Sequence, residues 1–306
     1  MRVLVIGGTG FTGSVLIDYL AGMEDLDVTA VVHKTPVNRT YDNILYIQSS
    51  LQKLPAILSK FEDFDYVFHL ARIPGRRWGN AGRVIAGIKG ALANRRLLHT
   101  LRRYGSKSRL VYLSGSLMYG HTPGKKSVET DSLQPVGFGQ YYSLAEQPLL
   151  RAINHRQGNI IMLRAPWILG KGSWFTQLYE QHLRKHKTVP VYGDIDRRMS
   201  VITVEDCARL LWHYAVNAPA AGVYNIYTFG DISHGSFIKS IGKAYQQQAV
   251  IYYNESNMHS IMDKTTARSV CCEVLLDTNH NDLLNSYKPI FTDLDTYLTQ
   301  LAQKHG

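Results

Sequence analysis

Short apolar runs alternate with amphipathic segments along the first half of the chain. The apolar runs predict strands over residues 3–6, 27–32, 44–47, 66–71, 110–113 and 159–164. The amphipathic segments predict helices that open at residue 14 or cover residues 51–61, 83–103 and 145–152. Gly105 is a stop signal for the third helix, and Pro148 indicates that the fourth begins just before it or is kinked there. Such alternation is typical of a parallel sheet covered on both faces.

Shorter and more mixed elements follow Gly170. The pattern predicts strands over residues 189–192 and 223–227, and helices over residues 174–183, 204–216, 236–245 and 292–303. Thr292 is the predicted N-cap of the last helix. No proline-rich linker separates this part of the sequence from the first half. We therefore predict two regions, residues 1–170 and a smaller mixed α/β region of residues 171–306 that is interwoven with the first.

A cluster of glycines lies between the first strand and the first helix. Gly7, Gly10 and Gly13 let the backbone turn sharply, let a pyrophosphate approach the main chain and let the helix pack close to the strand. The helix N-terminus then offers free N–H groups to the anion. This context predicts a Rossmann-type doubly wound sheet in residues 1–170 that binds a dinucleotide, and a substrate-binding region in residues 171–306. The predicted cofactor contacts in the turn are Gly7, Thr9, Gly10, Phe11, Thr12 and Gly13.

The composition is that of an ordinary globular protein, with 45% hydrophobic and 19% charged residues among 306. No apolar run approaches the roughly 18 residues that span a bilayer, so we expect no membrane partner. The first strand starts at once, so we expect no signal peptide. The three cysteines, Cys207, Cys271 and Cys272, are odd in number and lack metal-ligand spacing. They indicate reduced thiols and a cytoplasmic protein.

The net charge of +10 raises the question of nucleic-acid binding. The basic clusters lie in predicted helices and do not interleave with aromatic residues. A solvated basic face is therefore favoured over a nucleic-acid site, and an anionic small-molecule substrate stays open.

Five motifs resemble those of the extended short-chain dehydrogenases/reductases, the group of nucleotide-sugar epimerases and dehydratases. They are the glycine turn and the segments 65–71 (DYVFHLA), 113–120 (LSGSLMYG), 163–170 (LRAPWILG) and 198–206 (RMSVITVED). The motifs occur in the order of the family. The resemblance implies a Rossmann fold, a nicotinamide dinucleotide cofactor, a nucleotide-sugar substrate and a homodimer formed through two long helices.

The chain departs from this family in its catalytic residues. The family uses a Ser or Thr after strand five and a Tyr-x-x-x-Lys motif, in which the tyrosine exchanges a proton with the substrate and the lysine holds the nicotinamide ribose. Gly115, Phe138 and Tyr142 occupy the matching positions, and no lysine occurs between Lys126 and Lys171. A tyrosine carries no positive charge at neutral pH, so Tyr142 cannot replace the lysine electrostatically.

Nearby hydroxyl groups are the candidates for a rebuilt acid–base site. Tyr142, Tyr141 and Ser116 are the predicted catalytic residues, and Ser114 is a further local hydroxyl that could substitute. The alternative for each is a structural role in packing or hydrogen bonding. Two functions follow. The first is an NAD(P)-binding enzyme of the reductase, epimerase or dehydratase type with a non-standard acid–base site. The second is a non-catalytic dinucleotide-binding sensor or structural subunit.

The end of strand two decides between the two nicotinamide dinucleotides. An acid there binds the ribose 2′-hydroxyl, whereas basic residues accommodate a 2′-phosphate. His33 and Lys34 favour NADP(H) over NAD(H), unless Lys34 is merely solvated. Ser50 stands where the family often has an aspartate near the adenine. Leu70 and Ala71, at the end of strand four, complete the predicted cofactor contacts.

Arginines are the predicted substrate contacts. Arg72, Arg76 and Arg77 follow strand four, near the sheet edge where open α/β sheets bind ligands. Arg197 and Arg198 resemble the family's pyrophosphate-contacting arginine region. These arginines predict an anionic substrate such as a nucleotide sugar. The equally weighted alternative is that they are solvated loop residues. Trp78, Trp167 and Trp174 line either an apolar pocket or the core. The histidines are scattered without metal-ligand spacing, so we expect no metal.

Overall fold

The computed structural model of the chain describes residues 1–37, 39–58, 63–75, 79–104 and 107–303. The features predicted at Phe61, Arg76, Arg77, Trp78 and Gly105 lie outside the described residues. The contacts divide the chain into two compact units. Unit 1 consists of Met1–Ser114, Tyr141–Arg164 and Ala208–Tyr224, and unit 2 of Gly115–Gln140, Ala165–Cys207 and Asn225–Gly306. The domain boundary predicted near residue 170 stays a prediction.

The main strands and helices of the first half follow the predicted alternation, and the structure adds short elements that the pattern did not predict. The strands are β1 (Arg2–Ile6), β2 (Asp27–Val32), β3 (Ile44–Gln48), β4 (Tyr66–His69), β5 (Arg109–Gly115), β6 (Lys126–Ser127), β7 (Asn159–Ala165), β8 (Trp167–Leu169), β9 (Val189–Tyr192), β10 (Arg198–Thr203), β11 (Gly222–Asn225), β12 (Phe229–Ser233), β13 (Val250–Tyr253) and β14 (Leu275–Leu276). The helices are α1 (Phe11–Ala21), α2 (Leu54–Leu58), α3 (Gly79–Tyr104), α4 (Gly139–Asn154), α5 (Gln181–His186), α6 (Val204–Asn217), α7 (His234–Ala244), α8 (Glu255–Met258), α9 (Lys264–Val270), α10 (Asn281–Asn285) and α11 (Leu294–Gln303).

A doubly wound sheet forms the centre of unit 1. Among the described residues, seven strands make up the sheet in the order β11-β7-β5-β4-β1-β2-β3. The pairings of β1 with β2 and β4, of β2 with β3 and of β4 with β5 are parallel. The chain leaves β1 on one side for β2 and β3 and then crosses to β4 on the other side. The strand order therefore reverses between β1 and β4, which is where such sheets bind ligands, and the predicted Rossmann-type fold is confirmed.

Helix α4 begins at Gly139, so the prediction that it begins just before Pro148 is wrong. Pro148 lies inside the helix and lacks the N–H that would close a turn with the carbonyl of Leu144. Burial outweighs this loss, because Leu149 and Ala152 of α4 join the core that covers the sheet. Helix α3 approaches α4 closely at Gly87, where a Cβ would lie 2.6 Å from the carbonyl oxygen of Tyr141.

Unit 2 contains small sheets around an aromatic core. The sheets pair β8 with β10 and β12, β9 with β13, and β6 with β14. Phe175, Tyr179 and Phe237 are fully buried in this core. Trp167 and Trp174 pack against it with ring centres 4.5 Å apart. The segment predicted as one helix over residues 174–183 is a π-helical turn, Thr176–Glu180, continued by α5.

The predicted N-cap of the last helix is wrong by one residue. Helix α11 begins at Leu294, and the carboxylate of Asp293 accepts hydrogen bonds from the Thr296 N–H at 2.8 Å and the Thr296 hydroxyl at 2.7 Å. A carboxylate satisfies the free N–H groups of a first turn as well as a threonine hydroxyl does. The chain therefore caps the helix with the aspartate.

None of the helices in the described ranges is both long and apolar enough to cross a bilayer. The cytoplasmic location stays a prediction.

Candidate functional site

The glycine turn between β1 and α1 folds back on the sheet through its backbone. The N–H groups of Gly7 and Gly8 donate to the carbonyl of Val31 on β2 at 3.0 and 3.1 Å. The N–H of Gly10 then donates to the carbonyl of Gly7 at 2.9 Å. Gly7 has a φ of +94°, which side chains rarely tolerate. The turn therefore requires a glycine at this position.

The first turn of α1 is open to an anion. A Cβ at Gly13 would collide with the carbonyl oxygen of Gly7, so only glycine lets the helix start this close to the strand. Gly10 is the N-cap residue and offers no side chain to the first N–H groups of the helix. Uncapped N–H groups at a helix N-terminus bind phosphate oxygens. This cradle fits the pyrophosphate of a dinucleotide.

The end of β4 meets the glycine turn. The N–H of Leu70 donates to the carbonyl of Ile6 at 2.9 Å, and a Cβ at Gly7 would lie only 3.0 Å from the backbone nitrogen of Ala71. The structure thus brings the predicted contacts Leu70 and Ala71 to the turn. This contact lies at the point where the strand order reverses.

The predicted cofactor contacts on the β2 side lie just beyond the ends of β2 and β3, and they are not gathered into a closed site. His33 and Lys34 are exposed directly beyond β2. Ser50 lies half-buried beyond β3, and its hydroxyl accepts a hydrogen bond from the Lys53 N–H at 3.3 Å. The roles of these three residues stay predictions.

Arg72 lies over one of the candidate catalytic tyrosines. Its guanidinium carbon is 4.3 Å from the ring centre of Tyr142, and its Nη2 is 3.5 Å from the carbonyl oxygen of Leu113 on β5. The neighbouring Tyr141 faces a second arginine, Arg83, at 5.9 Å. The predicted substrate contact Arg72 and the predicted catalytic residue Tyr142 are therefore adjacent, on the loop after β4 and on α4.

A buried ionic cluster connects α4 to the sheet beside these tyrosines. The carboxylate of Glu146 accepts a short hydrogen bond from the Ser114 hydroxyl and pairs with the guanidinium of Arg164 at 3.2 Å. The three residues are between 1% and 3% exposed. No role is predicted for Glu146 from the sequence, although it lies four residues after Tyr142 and hence on the same helix face.

Two further polar side chains beneath Arg72 remain neutral. Burial, together with the nearby charge of Arg72 and against the hydrogen bond to Asn94, lowers the pKa of His69 to about 4. Its Nε2 is 2.8 Å from the amide oxygen of Asn94, whose amide Nδ2 donates to the Ala145 carbonyl. Burial raises the pKa of Tyr112 to about 12, against the opposing effect of Arg72. At pH 7 neither residue carries a charge.

The remaining serine and glycine positions of the motif lie in unit 2. Ser116 is buried in a 3₁₀ turn that directly follows β5. Gly115 has an extended backbone, with φ of −139° and ψ of 158°, and a Cβ there would approach the Ala165 carbonyl oxygen no closer than 3.8 Å. A Cβ thus fits at this position with an ordinary van der Waals contact. The backbone N–H of Phe138 donates to the Ser269 hydroxyl at 2.9 Å.

The two neighbouring arginines of unit 2 differ in their partners. Arg198 forms an ion pair with Asp231 through its Nε at 2.7 Å and its Nη2 at 2.6 Å. Arg197 is only 4% exposed, and its Nη1 donates to the sulfur of Met199 at 4.0 Å. In the described part of the chain its Nε has no hydrogen-bond partner. Burial lowers the pKa of Arg197, whereas nearby Glu273 opposes that shift without forming an ion pair.

Comparisons with known proteins agree with this geometry. The profile of the NAD dependent epimerase/dehydratase family matches residues 3–227, which is more than half of the chain.

The chain belongs to the NAD dependent epimerase/dehydratase family.

Individual relatives are distant. A Bacillus subtilis protein named "Uncharacterized UDP-glucose epimerase YtcB" is 28% identical over 228 residues, which cover 68% of this chain and 71% of that protein. The dTDP-glucose 4,6-dehydratase of Bacillus anthracis, solved with NAD, has a TM-score of 0.81 at 17% identity and covers 100% of this chain and 96% of its own. The human epimerase family protein SDR39U1, solved with NADPH, has a TM-score of 0.78 at 19% identity, with 99% of both chains covered. At these identities the structural likeness establishes the fold.

Family membership gives the departures at Gly115, Phe138 and Tyr142 their meaning. In the register predicted from the sequence they correspond to the family's hydroxyl, tyrosine and lysine. The assignment of a non-standard active site to these positions stays a prediction.

The buried cluster at Glu146 yields a stability prediction. Arg164→Met leaves the carboxylate buried without its cation, so we expect the free energy of unfolding to fall by about 3–5 kcal/mol. The double variant Glu146→Leu/Arg164→Met removes both charges and should recover most of that loss. Urea unfolding at equilibrium measures both changes.

The control for this prediction is Lys243→Met, which removes an exposed ion pair with Asp295. Exposed pairs contribute little to stability, so its midpoint should stay close to that of the wild type. An Arg164→Met variant as stable as the control would show that the cluster does not hold α4 to the sheet.

Proposed function

We propose that the chain binds a nicotinamide dinucleotide across the carboxyl edge of the unit 1 sheet and acts with it on a nucleotide sugar. The supporting observation is the glycine turn, which presents the uncapped start of α1 at the reversal of strand order and packs against Ala71. Gly7, Gly10 and Gly13 would hold the pyrophosphate, with Thr9, Phe11 and Thr12 beside them. When bound, the dinucleotide accepts or donates a hydride.

The proton that accompanies hydride transfer is assigned to a hydroxyl of this chain. We place Tyr142 first, because it projects from α4 next to the ends of β4 and β5, and keep Tyr141 and Ser116 as the alternatives. Such acid–base help is typically worth about 10²–10⁴ in rate. The reaction is then a reduction, epimerisation or dehydration. Phe138 and Gly115, which offer no hydroxyl, favour the second candidate, a dinucleotide-binding protein without turnover.

Calorimetric titration with NADPH and NADH tests the cofactor assignment. We expect NADPH to bind more tightly, because Lys34 and His33 follow β2 and no acid stands there. Lys34→Glu should weaken NADPH about tenfold and leave NADH within about twofold. Lys239→Glu, an exposed lysine on α7, makes the same change of net charge and should alter neither affinity.

Equal affinities for the two dinucleotides in the wild type would remove the preference for NADP(H). Binding of neither would remove the cofactor assignment altogether. A protein that binds a dinucleotide and turns over a nucleotide sugar is an enzyme, whereas a dinucleotide that stays bound and never changes its oxidation state supports the second candidate.

The buried Arg197 supports an anionic substrate. A buried guanidinium without a carboxylate partner is costly, and a diphosphate would supply the missing anion. Arg198 already has Asp231 as its partner. We therefore assign the substrate diphosphate to Arg197 rather than to Arg198.

Uridine diphosphate and thymidine diphosphate are the probes for this assignment. Arg197→Met should weaken the tighter of the two by about tenfold or more, because a charge-assisted contact is lost. Arg198→Met breaks only the exposed pair with Asp231 and should stay within about twofold of the wild type. Calorimetry on the three proteins gives the comparison, and equal losses in both variants would contradict it.

An exposed apolar stripe on α3 supports a homodimer. Val84, Ile85, Ile88 and Leu92 share one helix face and are 39–50% exposed. We expect sedimentation velocity to give the mass of a dimer, and Ile88→Glu to give that of a monomer. Ile251→Glu, an equally drastic change on the exposed face of β13, should leave the dimer intact. A wild type that sediments as a monomer would exclude this interface.

A further inference from the structure

A positive charge stands at the carboxyl edge of unit 1, where the chain has no lysine on α4. The guanidinium of Arg72 lies 4.3 Å from the ring centre of Tyr142, a distance at which a cation is attracted to an aromatic face. Its Nη2 also reaches the Leu113 carbonyl at the end of β5. Arg72 is thus held between β5 and α4 although it belongs to the loop after β4.

No acid in the described part of the chain forms an ion pair with this charge. None of the ion pairs among the described residues includes Arg72, and Glu146, the carboxylate on the neighbouring turn of α4, is engaged by Ser114 and Arg164. Arg72 is exposed, so its charge is accessible to a ligand. Because a guanidinium has five donors and only one hydrogen bond of Arg72 is found in the described part of the chain, several donors remain available.

The sheet topology indicates which part of a dinucleotide would meet this charge. Arg72 directly follows Ala71, whose backbone packs on Gly7 in the glycine turn. From that turn, β2 lies on one side of β1, and β4 and β5 lie on the other. A dinucleotide whose pyrophosphate sits at the turn and whose adenosine lies towards β2 places its nicotinamide half over the ends of β4 and β5.

We propose that Arg72, seated on the ring of Tyr142, holds the nicotinamide half of the dinucleotide and so supplies from the loop after β4 the cation that α4 lacks. This inference rests on the proposed function. It also reassigns Arg72, which the sequence analysis placed among the substrate contacts. A planar guanidinium suits the role, because it can stack on the ring and still point its donors at ribose and phosphate oxygens.

The test moves the positive charge from the loop after β4 to α4 and measures only the binding of the dinucleotide. Wild type, Arg72→Ala, Tyr142→Lys and the double variant Arg72→Ala/Tyr142→Lys are titrated calorimetrically with the dinucleotide that the wild type binds more tightly. Arg72→Ala should bind about tenfold more weakly. The double variant, which carries its cation on α4, should recover most of the lost affinity. Tyr142→Lys alone places two cations side by side and should gain nothing.

Two controls separate this role from simple packing. Arg83→Ala removes the arginine that faces the adjacent Tyr141 at 5.9 Å and should leave the affinity within about twofold of the wild type. Adenosine diphosphate, which lacks the nicotinamide half, should bind Arg72→Ala and the wild type equally. Thermal melting of each variant confirms that it is folded, as expected for a change at an exposed side chain.

The possible failures are distinct. A wild type that binds neither dinucleotide overturns the proposed function together with this inference. A wild type that binds one of them while Arg72→Ala binds it equally well overturns this inference alone. A double variant no better than Arg72→Ala, or a loss of adenosine diphosphate binding as large as that of the dinucleotide, overturns it too.

Discussion

The buried carboxylate of Glu146 determines where helix α4 lies on the sheet, and the candidate site depends on that placement. Its oxygens are satisfied by Ser114 at the end of β5 and by Arg164 on β7. A buried charge without such partners would cost several kcal/mol, at least about 3 by the usual effect of breaking a buried pair. A shift of α4 by one residue would remove both partners at once. The register of the helix is therefore fixed, and with it the position of Tyr142 one turn earlier.

The parts of the fold that sequence predicts well are those encoded locally. The apolar runs of β1, β2, β4 and β5 and the glycines at 7, 10 and 13 each carry their own signal within a few residues. Of the two alternatives predicted at Pro148, the helix start is wrong, because burial of Leu149 and Ala152 overrides the helix-breaking tendency of a single residue. The N-cap at Asp293 differs from the prediction at Thr292 because two adjacent residues were both good caps and only the backbone selects one.

The candidate site was only partly predictable, since its contacts join distant segments. Arg72, on the loop after β4, contacts the ring of Tyr142 on α4, and no local sequence pattern indicates this contact. Glu146 could have been found, because an acid between the apolar positions of a core-facing helix requires a buried partner. Arg197 and Arg198 are adjacent residues of the same type, so the sequence alone does not distinguish their roles. Successive side chains point to opposite faces at the start of β10, so Arg197 is buried and Arg198 meets Asp231.

The open space at Gly115 bears on how this chain can evolve. Its backbone is extended and a Cβ there would meet only an ordinary van der Waals contact, so one substitution could place a Cβ at the position that the resemblance gives to the family's Ser or Thr. Phe138 would keep its ring on exchange for tyrosine and needs only one added hydroxyl, whereas Tyr142 would have to exchange its ring for the aliphatic chain of a lysine. The three positions are thus unequal as barriers to the chemistry that the resemblance implies, and Tyr142 is the one that demands the largest change of side chain.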